Sequence, residues 1–166
     1  MWWMVLVGVV TGMRSMTALA VLCWFAWLKL LPESGWTAWS ATLVAAIVFS
    51  LCALGEYAGD LSPHAPSRTS VFPLTVRLVL GALAGVLCAH ALVQPVAGGV
   101  VFGVVGVLIG AFGGVRVRVW LVGKVGRDWP VGVAESAVAL GLAVVAAMMV
   151  RHDIVQEAAA RMQTVL

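Results

Sequence analysis

Arg14 stands inside an apolar run from Met1 to Leu31 that carries no other charge before Lys29. An arginine at membrane depth is costly, by roughly 2.5–3.5 kcal/mol on insertion scales, and normally faces a bundle interior, a partner charge or a water-filled cavity. Further ionisable residues sit where they could meet it. Glu56 and Asp60 close a second apolar run, Arg77 opens a third, Arg116 and Arg118 end a fourth, and Glu135 opens a fifth. Arginine's planar fork grips carboxylate or phosphate bidentately. Arg14 and Arg116 therefore suit contact with an anionic group, with Ser15, Thr17, Arg68, Arg77 and Arg118 lining the same path. Glu56, Asp60 and Glu135 suit ion pairing or proton relay. The same residues also have a structural use, because buried charges are normally paired whatever their role. Pairing Arg14 with Glu56 or Glu135 would fix helix register, and Arg118 could snorkel to the headgroups.

Enzyme chemistry finds no footing. No Ser/His/Asp order, zinc-ligand helix or phosphate loop is present, and His64, His90 and His152 are scattered. Glu56 and Asp60 form an i, i+4 carboxylate pair that could hold a cation on a helix. The glycines and prolines around them mark a turn, which favours capping and loop ordering. Cys23, Cys52 and Cys88 all lie in apolar runs without metal spacing and read as buried reduced thiols. No metal, cofactor or catalytic residue is expected.

The elements that must position these residues follow from composition. Of 166 residues, 63% are hydrophobic and 10% charged, against roughly 25% charged in soluble domains, and the mean hydropathy is +1.07. That predicts an all-α polytopic membrane protein. The net charge of +3 is small and explained by topology, so nucleic-acid binding is a poor reading. Five spans of the roughly 20 apolar residues needed to cross a bilayer are expected at about 2–30, 36–54, 74–92, 96–122 and 131–150, in one domain over 1–150. The first is long for one span, and is either tilted or broken near Gly12–Ser15. The tail 151–166 has helical apolar spacing and suits a short interfacial helix. Met1-Trp2-Trp3 lacks a basic n-region and a cleavage site, so the first helix reads as retained.

Five spans put the termini on opposite sides. Arg68, Arg77, Arg116, Arg118, Lys124 and Arg127 then share the N-terminal side, against Lys29, Arg151 and Arg161 on the other. The positive-inside rule places the N-terminus and the 55–70 loop in the cytoplasm. Trp2, Trp3, Trp120 and Trp129 would form one aromatic belt, and Trp24, Trp27, Trp36 and Trp39 the other.

Gly8-x3-Gly12-x-Arg14 reappears as Gly110-x3-Gly114-x-Arg116. The two segments would run in opposite directions, the mark of an inverted repeat that builds a midplane site from interrupted helices. Helix packing alone also uses such glycines. The glycine-rich fourth span, with Gly99, Gly103, Gly106, Gly110 and Gly114, is the expected dimer contact.

Gly12-Met13-Arg14-Ser15-Met16-Thr17, Gly55-Glu56, Asp60 and Pro66-Ser67-Arg68-Thr69, followed by a glycine-rich span, resemble a bacterial family of uncharacterised membrane proteins, the domain of unknown function 4126 family. The resemblance covers roughly residues 5 to 145. It departs at Leu61-Ser62-Pro63, where the family commonly has a lysine-leucine-proline stretch. It implies a membrane fold and supports the choice of residues, but brings no activity. The function expected is a transporter or channel for a small, anionic solute or ion. The partners expected are the lipid bilayer, a small anionic solute or lipid headgroup, and a second copy of the chain. The alternatives are a non-transporting scaffold or lipid-binding subunit, and a lipid-modifying enzyme.

Overall fold

The computed structural model describes residues 2–59 and 70–163. Asp60 and Arg68 lie outside the described residues. Every regular element among those described is a helix: α1 (Trp2–Met13), α2 (Thr17–Trp27), a 3-10 helix (Gly35–Ala41), α3 (Leu43–Gly59), α4 (Val71–Ala91), α5 (Val96–Val125) and α6 (Asp128–Gln163).

Three of these, α4, α5 and α6, are long and apolar enough to cross a membrane. The 3-10 helix and α3, bent by 61°, make a fourth if taken as one span. The first expected span is not continuous. It breaks at 14–16 into α1 and α2, of 12 and 11 residues, each about 18 Å long or less at 1.5 Å per residue against a hydrocarbon core of roughly 30 Å. The expected count of five full spans is not reproduced. The tail is not a separate helix either, since α6 continues unbroken to Gln163 with an exposed last turn.

The two short helices fold back on one another. At the start of α1 the Trp3 indole donates to Asp153 Oδ2 of α6 at 2.8 Å, and just past its end Arg14 Nη2 donates to the Gly132 carbonyl of α6 at 3.1 Å. Thr17, opening α2, bonds Tyr57 of α3, whereas Trp24, about two turns on, donates to Ser50. Ala26 then shares a cavity with Arg151 and Ile154, back near where α1 began. So α1–α2 is a hairpin whose tip, Arg14–Met16, lies far from both of its ends.

Two consequences correct the sequence-based topology. Trp3 lies at the end that holds Arg151, not with Trp120 and Trp129, and the start of α1 shares that end with the last turns of α6. And α1 runs parallel to α5: Gly8 packs on Gly103 and Gly106, Gly12 on Val107, Gly110 and Ala111. The two segments of the suspected repeat therefore point the same way, which removes the inverted-repeat geometry.

Glycine explains how closely α5 is held. A Cβ on Gly106 or Gly110 would come within 3.0 Å of the α1 backbone at Val5, Gly8 or Val9, and one on Gly99 or Gly103 within 3.0 Å of the α4 backbone at Gly85 or Gly81. Backbone-to-backbone approach of this kind gains dispersion contact where lipid supplies no hydrophobic drive. The glycines expected to join two chains are thus consumed within one. The core at the other end is alanine-rich, with Leu19, Leu22 and Ala26 of α2 in the cluster that holds Ala139, Ala143 and Ala146 of α6.

Helix ends follow local rules with two exceptions. Pro73 and Pro130 sit in first turns, where their missing N–H groups are not needed. α5 stops at Gly126, left-handed at φ 73°. α2 and α4 stop in the same way with Lys29 (φ 59°) and Val93 (φ 54°) in that conformation. The bonds from Leu30 N to Phe25 O and from Gln94 N to Ala89 O, both 2.8 Å, close the two caps. A β-branched valine there is strained.

Candidate functional site

The hairpin tip is a problem of backbone accounting. Broken backbone at membrane depth leaves donors and acceptors that cost several kcal/mol each unless protein satisfies them. Arg14 N still bonds Val10 O at 2.7 Å, the last helical bond of α1. Beyond it the amides turn to a side chain. Glu56 Oε1 of α3 accepts from Ser15 N at 2.8 Å and from Ser15 Oγ at 3.0 Å, and its Oε2 accepts from Met16 N at 3.1 Å. The carbonyls that α1 leaves open are taken by α4, where Arg77 Nη1 donates to Gly12 O at 2.7 Å and Met13 O at 3.1 Å. Arg77 Nη2 and Glu56 Oε1 close the pair at 3.2 Å.

The charges match the helix termini they touch. An anion caps the N-terminus of α2 and a cation the C-terminus of α1, each the favourable sign for the local dipole. Arg77 and Glu56 are 6% and 14% exposed, so the pair works at reduced dielectric, where charge-assisted bonds are strongest. Ser15 and Thr17, expected to line a path, are instead parts of this joint: Ser15 is held by Glu56 through backbone and hydroxyl, and Thr17 Oγ1 lies 2.6 Å from the Tyr57 hydroxyl.

Arg14 is 1% exposed and reaches away from that pair. Its guanidinium carbon lies 5.2 Å from the centroid of the Tyr57 ring, and Nη2 bonds Gly132 O on α6. Next to Gly132 a second charge group begins. Arg118 of α5 donates from Nε and Nη2 to the two oxygens of Asp128 at 3.0 and 2.7 Å, and from Nη1 to Glu135 Oε2 at 3.5 Å. Thus Arg14, Glu56, Arg77, Arg118 and Glu135 gather at one end of the bundle. Arg116 does not join them; it is exposed on α5. Gly8, Gly12, Gly103, Gly106 and Gly110 pack helices as expected, while Gly114 leaves ordinary contact distance, 3.5 Å, to Glu135 and Met13.

Three contributors were not anticipated from sequence. Tyr57 follows Glu56 directly, and an aromatic face one residue after a buried acid was a readable cue. Asp128 lies between two apolar runs in the charged stretch 124–130. Gly132 acts through its carbonyl, which no residue type reveals. At the opposite end stands Glu33. Its side chain is 2% exposed, 3.5 Å from His90 Nδ1, which also lies 3.2 Å from Thr37 Oγ1. Glu33 sits in the loop between α2 and the 3-10 helix; burial pushes its carboxyl above the ordinary range, opposed by a hydrogen bond from Thr37 and by His90. Among the described residues no cluster of three or more His, Cys, Asp or Glu could hold a metal. Cys23 and Cys88 are buried and Cys52 is exposed, all as free thiols.

No family model, curated protein or solved structure matches the chain, so the resemblance noted above rests on its own residues.

Proposed function

We propose that this chain is a small transporter or channel of the bacterial inner membrane, moving a small solute or ion past the tip of the α1–α2 hairpin. The observation that carries the reading is the break itself. Interrupted helices at membrane depth persist where they are buried in protein or line a cavity, and transporters build their sites at such half-helix ends. Three further helices send groups to this tip: Glu56 and Tyr57 from α3, Arg77 from α4 and the Gly132 carbonyl from α6, beside which Arg118 of α5 meets Glu135. The excess of Arg116, Arg118, Lys124 and Arg127 at the tip end, against Lys29, Arg151 and Arg161, orients that end to the cytoplasm. With Trp3 beside Asp153, the N-terminus then faces the opposite side, the reverse of the orientation derived from five spans.

A scaffold is the second reading, favoured by one observation: both helix ends at the tip are closed by Glu56 and Arg77, which leaves neither terminus open to a solute. Thiol accessibility separates the two without a known substrate. Cys23, Cys52 and Cys88 are replaced, Ser15→Cys is introduced, and vesicles of each orientation are treated with a membrane-impermeant thiol reagent. A transporter or an opening channel predicts labelling from the tip side and, in a fraction of molecules, from the other side. Labelling from one side alone, or from neither, overturns transport in favour of the scaffold.

A further inference from the structure

Between α5, α6 and the end of α1 lies a groove of about 330 Å³. α5 packs closely on α1 and α4 but touches α6 little. The walls are aliphatic, with Val9, Ile109, Leu121 and Val138 among them, and the charged wall residues are Arg118 and Glu135. It opens along membrane-crossing helices and so faces lipid. An apolar slot ending in charge suits a molecule that is itself apolar at one end and charged at the other.

The sign of that charge follows from the Arg118 fork at the polar end and from the basic residues around it. Two guanidinium groups flank Gly132: Arg14 bonds its carbonyl, and Arg118 Nη2 lies 3.5 Å from where a Cβ would stand. Glu135, 8% exposed, supplies one buried negative charge. The second comes from Asp128, 56% exposed, whose two oxygens occupy the Arg118 fork bidentately. An ion pair so exposed contributes little, and a phosphate presents the same paired oxygens to the fork. Asp128 is therefore the replaceable member of this pair, and an anion that displaces it inherits the Arg118 fork. Arg116, Lys124 and Arg127, all exposed on the adjoining stretch of α5 and its turn, add to the positive potential there.

We infer that this groove binds a lipid with an anionic phosphate head, its alkyl chain along α5 and α6 and its head on Arg118 in place of Asp128. The inference concerns binding alone and stands or falls separately from transport.

The test measures binding of hexadecyl phosphate to the purified full-length protein by native mass spectrometry, with hexadecanol and inorganic phosphate as controls. Hexadecyl phosphate is expected to bind and the two controls not. Arg118→Gln should weaken it about tenfold or more, the scale of one lost charge-assisted hydrogen bond. Asp128→Asn, which removes the competing carboxylate, should tighten it. Gly113→Leu should block it without unfolding the protein, because Gly113 lines the groove and a Cβ there meets nothing within 4 Å. Equal binding of hexadecanol would reduce the groove to unspecific apolar surface, and binding of inorganic phosphate alone would make it a free-anion site. Either result overturns the inference, as would unchanged binding in Gly113→Leu or weaker binding in Asp128→Asn.

Discussion

Replacing Glu56 tests whether the tip is held by its crossed caps. Glu56→Gln keeps the shape but withdraws the charge that Ser15, Met16 and Arg77 share, while Arg77→Met removes the donor to Gly12 and Met13. Breaking one side of a buried ion pair costs about 3–5 kcal/mol, because the other charge is left uncompensated. Each single substitution should therefore lower the unfolding midpoint in detergent by roughly 6–20 °C, at about 2–4 °C per kcal/mol for a chain of this size. The double substitution removes both members of the pair, so it should cost less than the sum, with a coupling of about 1–3 kcal/mol. Thermal unfolding followed by circular dichroism on all four proteins completes the cycle. Strict additivity would refute the argument, since two groups that cap the same break and bond each other cannot act independently. So would a change of under about 1 kcal/mol in Glu56→Gln, below the cost of a single unsatisfied buried donor.

Packing and pH give further tests. Gly106→Ala pushes a Cβ within 3.0 Å of backbone atoms of Val5, Gly8 and Val9, and overpacking of this kind should cost about 1–3 kcal/mol or more. Gly123→Ala, where a Cβ meets nothing within 4 Å, should be neutral or stabilising by about 0.5–1 kcal/mol from helix propensity, and equal losses of heat-resistant protein in the two variants would count against the α1–α5 interface. Burial raises the Glu33 carboxyl above the ordinary 4.5, so the folded state holds that proton more tightly than the unfolded chain. The stability it contributes is present below pH 4.5 and is lost as pH rises from there through the raised folded value. Glu33→Gln should flatten this slope in a pH series of unfolding midpoints; an unchanged slope would remove Glu33 as its source.

Part of this arrangement was legible in the sequence. Arg14 announced a buried polar site because an uncompensated charge there is prohibitive, and Glu56 and Glu135 were the acids within reach. α4 and α5 run close to their expected limits because apolar length and flanking Gly and Pro mark them. The hairpin was not legible as such. A continuous span and two half-helices have the same hydropathy, and the turn is made by Glu56 and Arg77, supplied from other helices. The break near Gly12–Ser15 was one of two expected alternatives, but its direction was not, and the side assigned to Trp3 changed with it. The glycine spacing of α5 signalled close approach without naming the partner, which proved to be α1 and α4 rather than a second chain. Arg116 matched Arg14 in a sequence alignment, but sequence offset does not determine which face of α5 it occupies.

The order in which the chain is made bears on the hairpin. Residues 2–27 leave the ribosome ahead of the groups that satisfy their break, which come 41 residues after Ser15, at Glu56, and 65 after Gly12, at Arg77. Until α3 and α4 have been synthesised, the tip has open amides and carbonyls, and neither half-helix is long enough to cross the bilayer. The hairpin is therefore made before the groups that close it, and reaches its final state only after them. A nascent chain halted between Glu56 and Arg77 holds the anion of the tip without its cation, and a biosynthetic intermediate of that length should label at Ser15→Cys faster than the finished protein does.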